Sequence, residues 1–458
     1  MKTLAALAFS ALSVMPALAQ EAAMPNTTDI TQILADRIDR DKANIGIAVA
    51  VIENGEVRYA AHGQWGRDDA RRVDEHTLFE AGSISKVFTN LLLAQLVEEG
   101  LIDLDAPITD YLPQGTSVPG DAERPITAFD LATHSAGLPP IPPDMGSAGL
   151  DNPYSGYGRE ALMAAMADID LIGPVGENFA YSNLGTALLA QAIEHVSGAD
   201  YPSLLQDRIL TPLDMTETHL ALTGTTLPDM ATGHDGAGEA VPHWDFDAFA
   251  AVGGLVTTTS DMAKFIAAAS GASESDLSGA FDIMLARTRP AGGEATIGLG
   301  WFVTQTGAGE IVWHNGITAG FRSFAGFERN SGKGVVVLSN MVTPSGIEDI
   351  GTHLLDPALP LADQPQPRDA VEIDTSVLPG LAGDYLVAPG LVLTISTEDG
   401  RLFAQMTGQE RFEIFAESET KFFYRVVNAQ ITFTVEDGKA SALTLHQNGR
   451  DTPALRVE

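Results

Sequence analysis

Two groups of strand-like segments, at opposite ends of a long helical region, constrain the fold of this chain most strongly. The first group, residues 45–52 and 56–61, flanks Asn54-Gly55, a dipeptide typical of a tight β-hairpin turn. The second group consists of four apolar runs: 300–304, 310–314, 322–327 and 334–338. The residues between the groups are mostly helix-like, with Gly and Pro at the interruptions. We therefore predict an α+β architecture in which one sheet receives strands from both ends of the helical region.

A proline-rich segment divides the chain into two parts. Four prolines lie between Pro357 and Pro367, which is typical of a stiff linker. Beyond it, six short strand-like runs are separated by turns, which predicts a small antiparallel β-sandwich or barrel. We expect a first unit over residues 20–356, a linker over 357–370 and a second unit over 371–458.

The N-terminal residues have the pattern of a secretory signal. A positive charge at Lys2 precedes an apolar run over residues 4–14, and Pro16 and the small-residue sequence Ala17-Leu18-Ala19 follow. The run is too short to span a bilayer. We predict that residues 1–19 are a signal peptide cleaved after Ala19, so that the protein is periplasmic or secreted and has no membrane span.

Composition limits the chemistry and the partners. The chain contains no cysteine, which excludes a thiol nucleophile and a cysteine-based zinc site. Its formal net charge of −35 disfavours nucleic acid and anionic lipid as partners. The histidines show no HExxH or similar ligand spacing, so neither a metal nor a cofactor is expected.

The sequence AGSISKVF, residues 81–88, places Ser83 and Lys86 three residues apart, at the start of an apolar helix predicted over residues 87–99. Two side chains at this spacing share one helix face. One interpretation is a helix N-cap followed by a solvated lysine. The other is a nucleophile beside an amine base whose pKa is lowered by burial. The spacing alone does not decide, because it recurs at Ser418 and Lys421 in a charged turn.

Two further motifs favour catalysis. The first is Tyr181-Ser182-Asn183, and the second is His314-Asn315-Gly316 at the end of a predicted strand. A rival His-x-Gly begins at His234, but it lies in a polar, glycine-rich stretch without a preceding strand. We predict that His234 is on the surface.

These three motifs, in this order, resemble those of the serine penicillin-recognising enzymes. The nearer relatives are class C β-lactamases, D-Ala-D-Ala carboxypeptidases, D-aminopeptidases and related esterases. The phrases LATHSAGLP (131–139), GGLVTTTSDMAKF (253–265) and GLGW (298–301) are also similar to this family. The resemblance covers about residues 28–355 and implies an antiparallel sheet flanked by helices, with an all-helical region beside it. The second unit is similar to the lipocalin-like domains of some members.

The resemblance implies roles for the residues of the first two motifs. Ser83 is the acylated nucleophile. Lys86 and Tyr181 share the proton transfers, and the sequence leaves open which of them is the base in each step. Asn183 orients the substrate and holds Lys86 by a hydrogen bond.

The strand motif is expected to complete the pocket. His314 and Gly316 belong to the strand that lines it, and the backbone N–H groups of Ser83 and Ile317 form the oxyanion hole. Class C β-lactamases usually have Lys-Thr-Gly here. A neutral imidazole is a weaker carboxylate anchor than lysine, so efficient penicillinase activity is not expected. Arg322 has two interpretations: it supplies the missing positive charge, or it forms a structural ion pair.

The expected function is that of an exported serine hydrolase acting through an acyl-serine intermediate. Its substrates are amide bonds of D-amino-acid peptides, in D-Ala-D-Ala carboxypeptidase or D-aminopeptidase fashion, or β-lactams. One alternative is a carboxylesterase on the same scaffold, since one nucleophile serves both chemistries. Another is a catalytically vestigial protein that binds the cell wall. The expected partners are the substrate and, through the second unit, further copies of the chain.

Overall fold

The computed structural model describes residues 23–120, 123–147, 152–343, 345–362, 364, 370–388, 391–398, 400–407, 411–425, 429–447 and 450–457. The predicted signal peptide, residues 1–19, lies outside the described residues, as do residues 363 and 365–369 of the predicted linker. Within these ranges no helix combines the length and the apolar character needed to cross a bilayer.

The helical segments lie mainly between the two groups of strands. The α-helices are α1 (Thr27–Ala35), α2 (Ser85–Glu98), α3 (Ala128–Ala132), α4 (Arg159–Ala165), α5 (Asn183–Ser197), α6 (Tyr201–Leu205), α7 (Ala250–Gly253), α8 (Thr259–Ala269), α9 (Ser278–Leu285), α10 (Glu348–Leu355) and α11 (Leu378–Leu381). Short 3₁₀ turns cover Gly82–Ile84, Ile108–Tyr111, Pro143–Ser147 and Thr375–Val377, and π-helical turns cover Asp36–Arg40 and Gln206–Leu210.

The strands of the first unit form one large antiparallel sheet and two small ones. They are β1 (Gly46–Glu53), β2 (Glu56–Gly66), β3 (Asp69–Arg72), β4 (Phe79–Glu80), β5 (His219–Leu220), β6 (Gly233–His234), β7 (Ala240–Val241), β8 (Leu255–Thr257), β9 (Arg289–Pro290), β10 (Thr296–Ile297), β11 (Phe302–Gln305), β12 (Glu310–Ile317), β13 (Arg322–Glu328) and β14 (Gly334–Ser339). Over the described residues the large sheet has the order β3-β2-β1-β14-β13-β12-β11-β10-β9. Because β1 pairs with β14, the sheet does receive strands from both ends of the helical region, which confirms the predicted α+β fold.

The pleat of β1 explains why the sheet is covered on both faces. Its odd-numbered residues 47–51 pack in one cluster with α1 and α10, and its even-numbered residues 48–52 pack in another with α2 and α8. Each buried Val or Ile side chain contributes about 1.5–3 kcal/mol. In β12 the same alternation places Ile311 with α1 and α10, and Val312 with α2 and α8. His314 and Gly316 therefore face the side of the sheet on which α2 lies.

The second unit is a closed antiparallel barrel rather than a sandwich. Its eight strands in the described residues are β15 (Gly383–Ala388), β16 (Leu391–Glu398), β17 (Arg401–Met406), β18 (Arg411–Ala416), β19 (Lys421–Tyr424), β20 (Ala429–Glu436), β21 (Lys439–Gln447) and β22 (Arg450–Val457). Leu393, Ile431 and Leu443 belong to its own core cluster. The sequence predicts six of these strands and misses β15 and β22, the pair that closes the barrel. Pro453 and several charged residues conceal the strand character of β22.

Two glycines allow the turn at Ser83 to lie directly against β12. A Cβ atom on Gly82 would come within 2.9 Å of the Ile317 nitrogen, and one on Gly316 within 2.0 Å of the Ala81 carbonyl oxygen. Gly82 also has φ of +52°, which disfavours any residue with a side chain. The close approach of helix start and strand end therefore requires glycine on both sides.

Replacing Gly82 by alanine should lower stability more than the same change at Gly100. Both residues have a left-handed backbone, but a Cβ on Gly100 would meet nothing within 4 Å. Gly100→Ala should cost about 1 kcal/mol of backbone strain, and Gly82→Ala about 1–3 kcal/mol more, because β12 has to move. Denaturant unfolding of both variants measures the difference. Equal costs would mean that the contact with β12 does not constrain the turn.

Candidate active site

Ser83 lies in the 3₁₀ turn that leads into α2, and several hydrogen bonds fix this turn. The Ser85 hydroxyl donates to the Gly82 carbonyl over 2.7 Å and accepts from the Leu255 N–H over 3.0 Å. Ile84 occupies the N-cap position of α2 and makes no side-chain capping bond. Ser83 is therefore not a helix cap, and its hydroxyl is free for another role.

Lys86 is fully buried. Its side chain has 0% exposure, because residues 85–96 of α2 are all buried. Its Nζ donates to Ser83 Oγ over 2.8 Å and to the Val252 carbonyl over 3.0 Å. Among the described residues no carboxylate forms an ion pair with it. Burial lowers the pKa of the amine well below its ordinary value of 10.5, so the neutral form, which can accept a proton, is favoured.

Tyr181 contacts both members of this pair. Its hydroxyl is hydrogen-bonded to Ser83, and its ring centroid lies 4.9 Å from Lys86 Nζ. Burial raises the pKa of the phenol above its ordinary value of 10.0. Tyr181 is therefore protonated, and it lies beside both the serine hydroxyl and the buried amine.

Asn183 begins α5 and lies two residues after Tyr181, but its expected hydrogen bond to Lys86 is not present. Its side-chain Nδ2 donates instead to the Tyr154 hydroxyl over 2.8 Å. Its Oδ1 is buried and has no hydrogen-bond partner among the described residues. Tyr154 holds this amide from a buried aromatic group, stacked on Phe246 at 5.2 Å. The prediction for Asn183 was wrong about its partner because Tyr154 shows no motif in the sequence.

The segment that carries Tyr181 has no regular secondary structure and is held by the LATHSAGLP segment. His134 accepts from the Ala180 N–H through its carbonyl over 2.7 Å and from the Ser182 N–H through Nδ1 over 3.2 Å. Its ring centroid lies 4.3 Å from that of Tyr181. The Ser182 hydroxyl donates to the Pro139 carbonyl over 2.7 Å. His134 thus positions Tyr181. The sequence LATHSAGLP alone did not reveal this role.

His314 lies on β12 and presents an unpaired nitrogen. The side chain is 1% exposed, with Nδ1 2.6 Å from the Asn315 carbonyl and Nε2 without a partner among the described residues. Burial lowers the pKa of the imidazole to about 3, so it is neutral. Ile317, three residues further on, is 46% exposed and ends the strand beside the Ser83 turn. This placement suits the expected oxyanion hole.

Arg322 lies on the opposite face of the sheet. In β13, Ala325 packs with α2 and α8 whereas Phe324 packs with α1 and α10, so alternation turns Arg322 toward α10. There its Nη1 lies 3.2 Å from Glu348 Oε1. Glu348 also accepts from Asn315 Nδ2 over 2.7 Å. The structure therefore agrees with the ion-pair interpretation of Arg322 and places its charge away from Ser83.

The prediction that His234 lies on the surface is wrong. Its side chain is 1% exposed, and its Nδ1 lies 3.1 Å from the Asn340 carbonyl. A short strand pair, β6 with β7, and a bridge to Met341 bury it. His234 is thus a structural residue. The sequence did not indicate this, because no apolar strand precedes it.

The fold and this site together define a serine hydrolase. A serine hydroxyl beside a buried amine and a phenol is one of the arrangements that can activate a serine as a nucleophile.

The chain belongs to the beta-lactamase family, whose model matches residues 31–358. Residues 367–456 match a second family model, described as a domain of unknown function (DUF3471). The chain is 26% identical over 454 residues to Penicillin-binding protein 4* of Bacillus subtilis, covering 91% of this chain and 96% of the relative. It is 31% identical over 202 residues to D-alanyl-D-alanine-carboxypeptidase/endopeptidase AmpH of Escherichia coli K12, covering 44% of this chain and 51% of that protein.

A solved structure has the same fold. It is that of the octameric penicillin-binding protein homologue from Pyrococcus abyssi, with a TM-score of 0.62 and 22% identity, covering 94% of this chain and 100% of the other.

Lys86→Met should abolish hydrolysis and stabilise the protein in a pH-dependent way. Between the lowered pKa of Lys86 and 10.5, the unfolded chain binds a proton at this residue and the folded chain does not. The free energy of unfolding of the wild type therefore rises with pH in this window, and methionine removes that slope. The difference in the free energy of unfolding between Lys86→Met and wild type should be large at pH 7 and vanish near pH 10.5. Denaturant titrations across this range measure it, and a constant difference would contradict a neutral Lys86.

His134→Phe should reduce kcat while leaving the fold intact. Phenylalanine keeps a ring against Tyr181 but removes the acceptor of the Ser182 N–H. A displacement of Tyr181 by about 1 Å should lower kcat roughly 10- to 100-fold. His134→Gln, which offers an oxygen, should recover part of the rate. His195→Phe, at an exposed histidine of α5, is the matched control and should have no effect. Similar losses in the Gln and Phe variants would argue against positioning through this bond.

Proposed function

We propose that this protein is an exported serine hydrolase that cleaves amide bonds of D-amino-acid peptides through an acyl-serine intermediate. The observation that carries this proposal is the 2.8 Å separation of the buried Lys86 Nζ from Ser83 Oγ, which is short enough for a proton to pass between them. The names of the relatives, a penicillin-binding protein and a D-alanyl-D-alanine-carboxypeptidase/endopeptidase, support the choice of substrate class.

Acylation begins with attack of Ser83 Oγ on the substrate carbonyl carbon. The hydroxyl proton passes to Lys86 Nζ, since the amine is neutral and already in contact. The N–H groups of Ser83 and Ile317 stabilise the developing oxyanion. Both groups are backbone donors, so they require no rearrangement when the charge appears.

Release of the leaving amine requires a proton, and Tyr181 is placed to give it. The phenol transfers its proton to the leaving nitrogen as the C–N bond breaks, and Lys86 returns a proton to the phenolate. Both residues are then neutral again. Water next attacks the carbonyl carbon of the Ser83 ester while Lys86 accepts a proton from it. As the bond between this carbon and Ser83 Oγ breaks, Lys86 returns the proton to Oγ, which regenerates Ser83 and releases the acyl group as a carboxylic acid. The raised pKa of Tyr181 and the lowered pKa of Lys86 support this division of roles.

Two other activities remain candidates on the same nucleophile: hydrolysis of β-lactams and hydrolysis of simple carboxylic esters. The absence of a lysine in the strand motif weighs against efficient β-lactam hydrolysis. A vestigial protein that only binds the cell wall is weakly supported, because the nucleophile, base and phenol are in contact. Cleavage after Ala19, a periplasmic or secreted location, and association of copies through the barrel remain predictions.

Ser83→Ala should abolish turnover, and Ser418→Ala should not. Ser418 has the same Ser-x-x-Lys spacing, but its hydroxyl accepts from the Lys421 N–H in an exposed turn. We expect a loss of roughly 10³-fold or more in kcat for the first variant only, with a D-alanyl-D-alanine peptide and with p-nitrophenyl acetate. Intact-mass measurements should detect an acyl adduct on wild type and on Ser418→Ala. Full activity of Ser83→Ala would exclude the mechanism, and turnover of the ester alone would favour the esterase.

A further inference from the structure

The protonation pattern of His314 can be read from its surroundings. Nδ1 lies 2.6 Å from the carbonyl oxygen of Asn315, and a carbonyl oxygen only accepts. Nδ1 therefore carries the ring proton. The imidazole is neutral, since burial lowers its pKa to about 3. Nε2 is consequently a bare lone pair, which can accept a hydrogen bond and cannot donate one.

This acceptor is buried and unsatisfied. Nε2 of His314 and Oδ1 of Asn183 both lack a hydrogen-bond partner among the described residues. Buried polar atoms in folded proteins nearly always have a partner, so an unpaired one in an active site indicates a place where a ligand supplies it. Two unpaired acceptors therefore indicate a ligand that carries hydrogen-bond donors.

His314 lies on the side of the active site where the leaving group of the substrate is expected. Its side chain faces the same side of the sheet as Val312, toward α2. Its ring centroid lies 5.4 Å from that of Phe302, and Phe302 and Phe179 connect it to His134, whose ring packs on Tyr181. Tyr181 is the proposed proton donor to the leaving amine. The part of the substrate beyond the scissile bond is therefore expected on the side of the pocket that His314 lines.

A carboxylate at this place would find no compensating cation among the described site residues. Lys86 is fully buried, with Nζ held by Ser83 Oγ and the Val252 carbonyl, and Arg322 is paired with Glu348 on the other face of the sheet. The formal charge of −35 adds to the repulsion of an anion. An amide N–H at the same place would instead satisfy the lone pair of His314.

We propose that His314 Nε2 is a hydrogen-bond acceptor for the group that follows the scissile bond, so that the enzyme prefers interior peptide bonds and C-terminal amides over bonds next to a free C-terminal carboxylate. The inference rests on the proposed function and narrows its substrate class. It makes the enzyme an endopeptidase or amidase in preference to a carboxypeptidase.

The test compares two peptides that differ only at the C-terminus: one ends in D-alanyl-D-alanine with a free carboxylate, the other in the corresponding carboxamide. For wild type we expect kcat/KM to be roughly tenfold or more higher for the carboxamide, which corresponds to one favourable contact replaced by a repulsive one. His314→Lys, which introduces a cation, should reverse the ratio. His314→Gln, which keeps an acceptor, should retain it. His195→Lys at the exposed position on α5 is the matched control and should leave it unchanged.

The outcomes separate this inference from the proposed function. Equal rates with the two peptides, or a ratio unaffected by His314→Lys, would overturn the inference. If His314→Lys does not fold, the ratios of wild type and His314→Gln still decide. If neither peptide is cleaved, each is tested as an inhibitor of p-nitrophenyl acetate turnover, and equal or absent inhibition also overturns it. Failure of the proposed function would appear differently, either as turnover that survives Ser83→Ala or as turnover of the ester with no cleavage of either peptide.

Discussion

The removal of one lysine amine from water is the interaction on which the active site depends. An ammonium ion buried without a carboxylate is very costly, so burial lowers the pKa of the Lys86 amine and favours the form that can act as a base. This requires the apolar surroundings of α2 and a carbonyl from α7 to satisfy the amine. The helices thus supply the apolar surroundings that lower the pKa of Lys86. The sheet supplies the groups that are expected to surround the substrate.

The junction between helix and sheet is equally demanding. Gly82 and Gly316 permit backbone contact between the turn of the nucleophile and the end of β12. The Ser323 hydroxyl strengthens this contact by donating to the Ala81 carbonyl over 2.7 Å. Because the two backbones touch, the N–H groups proposed for the oxyanion hole are held by the frame of the protein and not by mobile side chains.

The sequence predicted those parts of the structure that leave a local pattern. The apolar runs located β1 and β12–β14, and three motifs in order identified Ser83 with its partners. What it could not predict depends on contacts between distant residues. The partner of Asn183 is Tyr154, 29 positions earlier and without a motif. The face on which Arg322 lies follows from the register of β13 against β12, which the sequence does not specify. β15 and β22 can be recognised as strands only from their pairing with each other, which closes the barrel.

The pairing of β1 with β14 has a consequence for how the enzyme forms. In the register of these two strands, residue 47 pairs with residue 339. The loop between these residues must close before the strands can pair, and it includes nearly the whole hydrolase unit. Contacts of such long sequence separation are made late and slowly in folding. A chain interrupted after residue 86 and before residue 334 has the nucleophile and its base but lacks the strand beside β1. The catalytic unit is therefore acquired as a whole, and a partial chain exposes the apolar edge of β1 until β14 covers it.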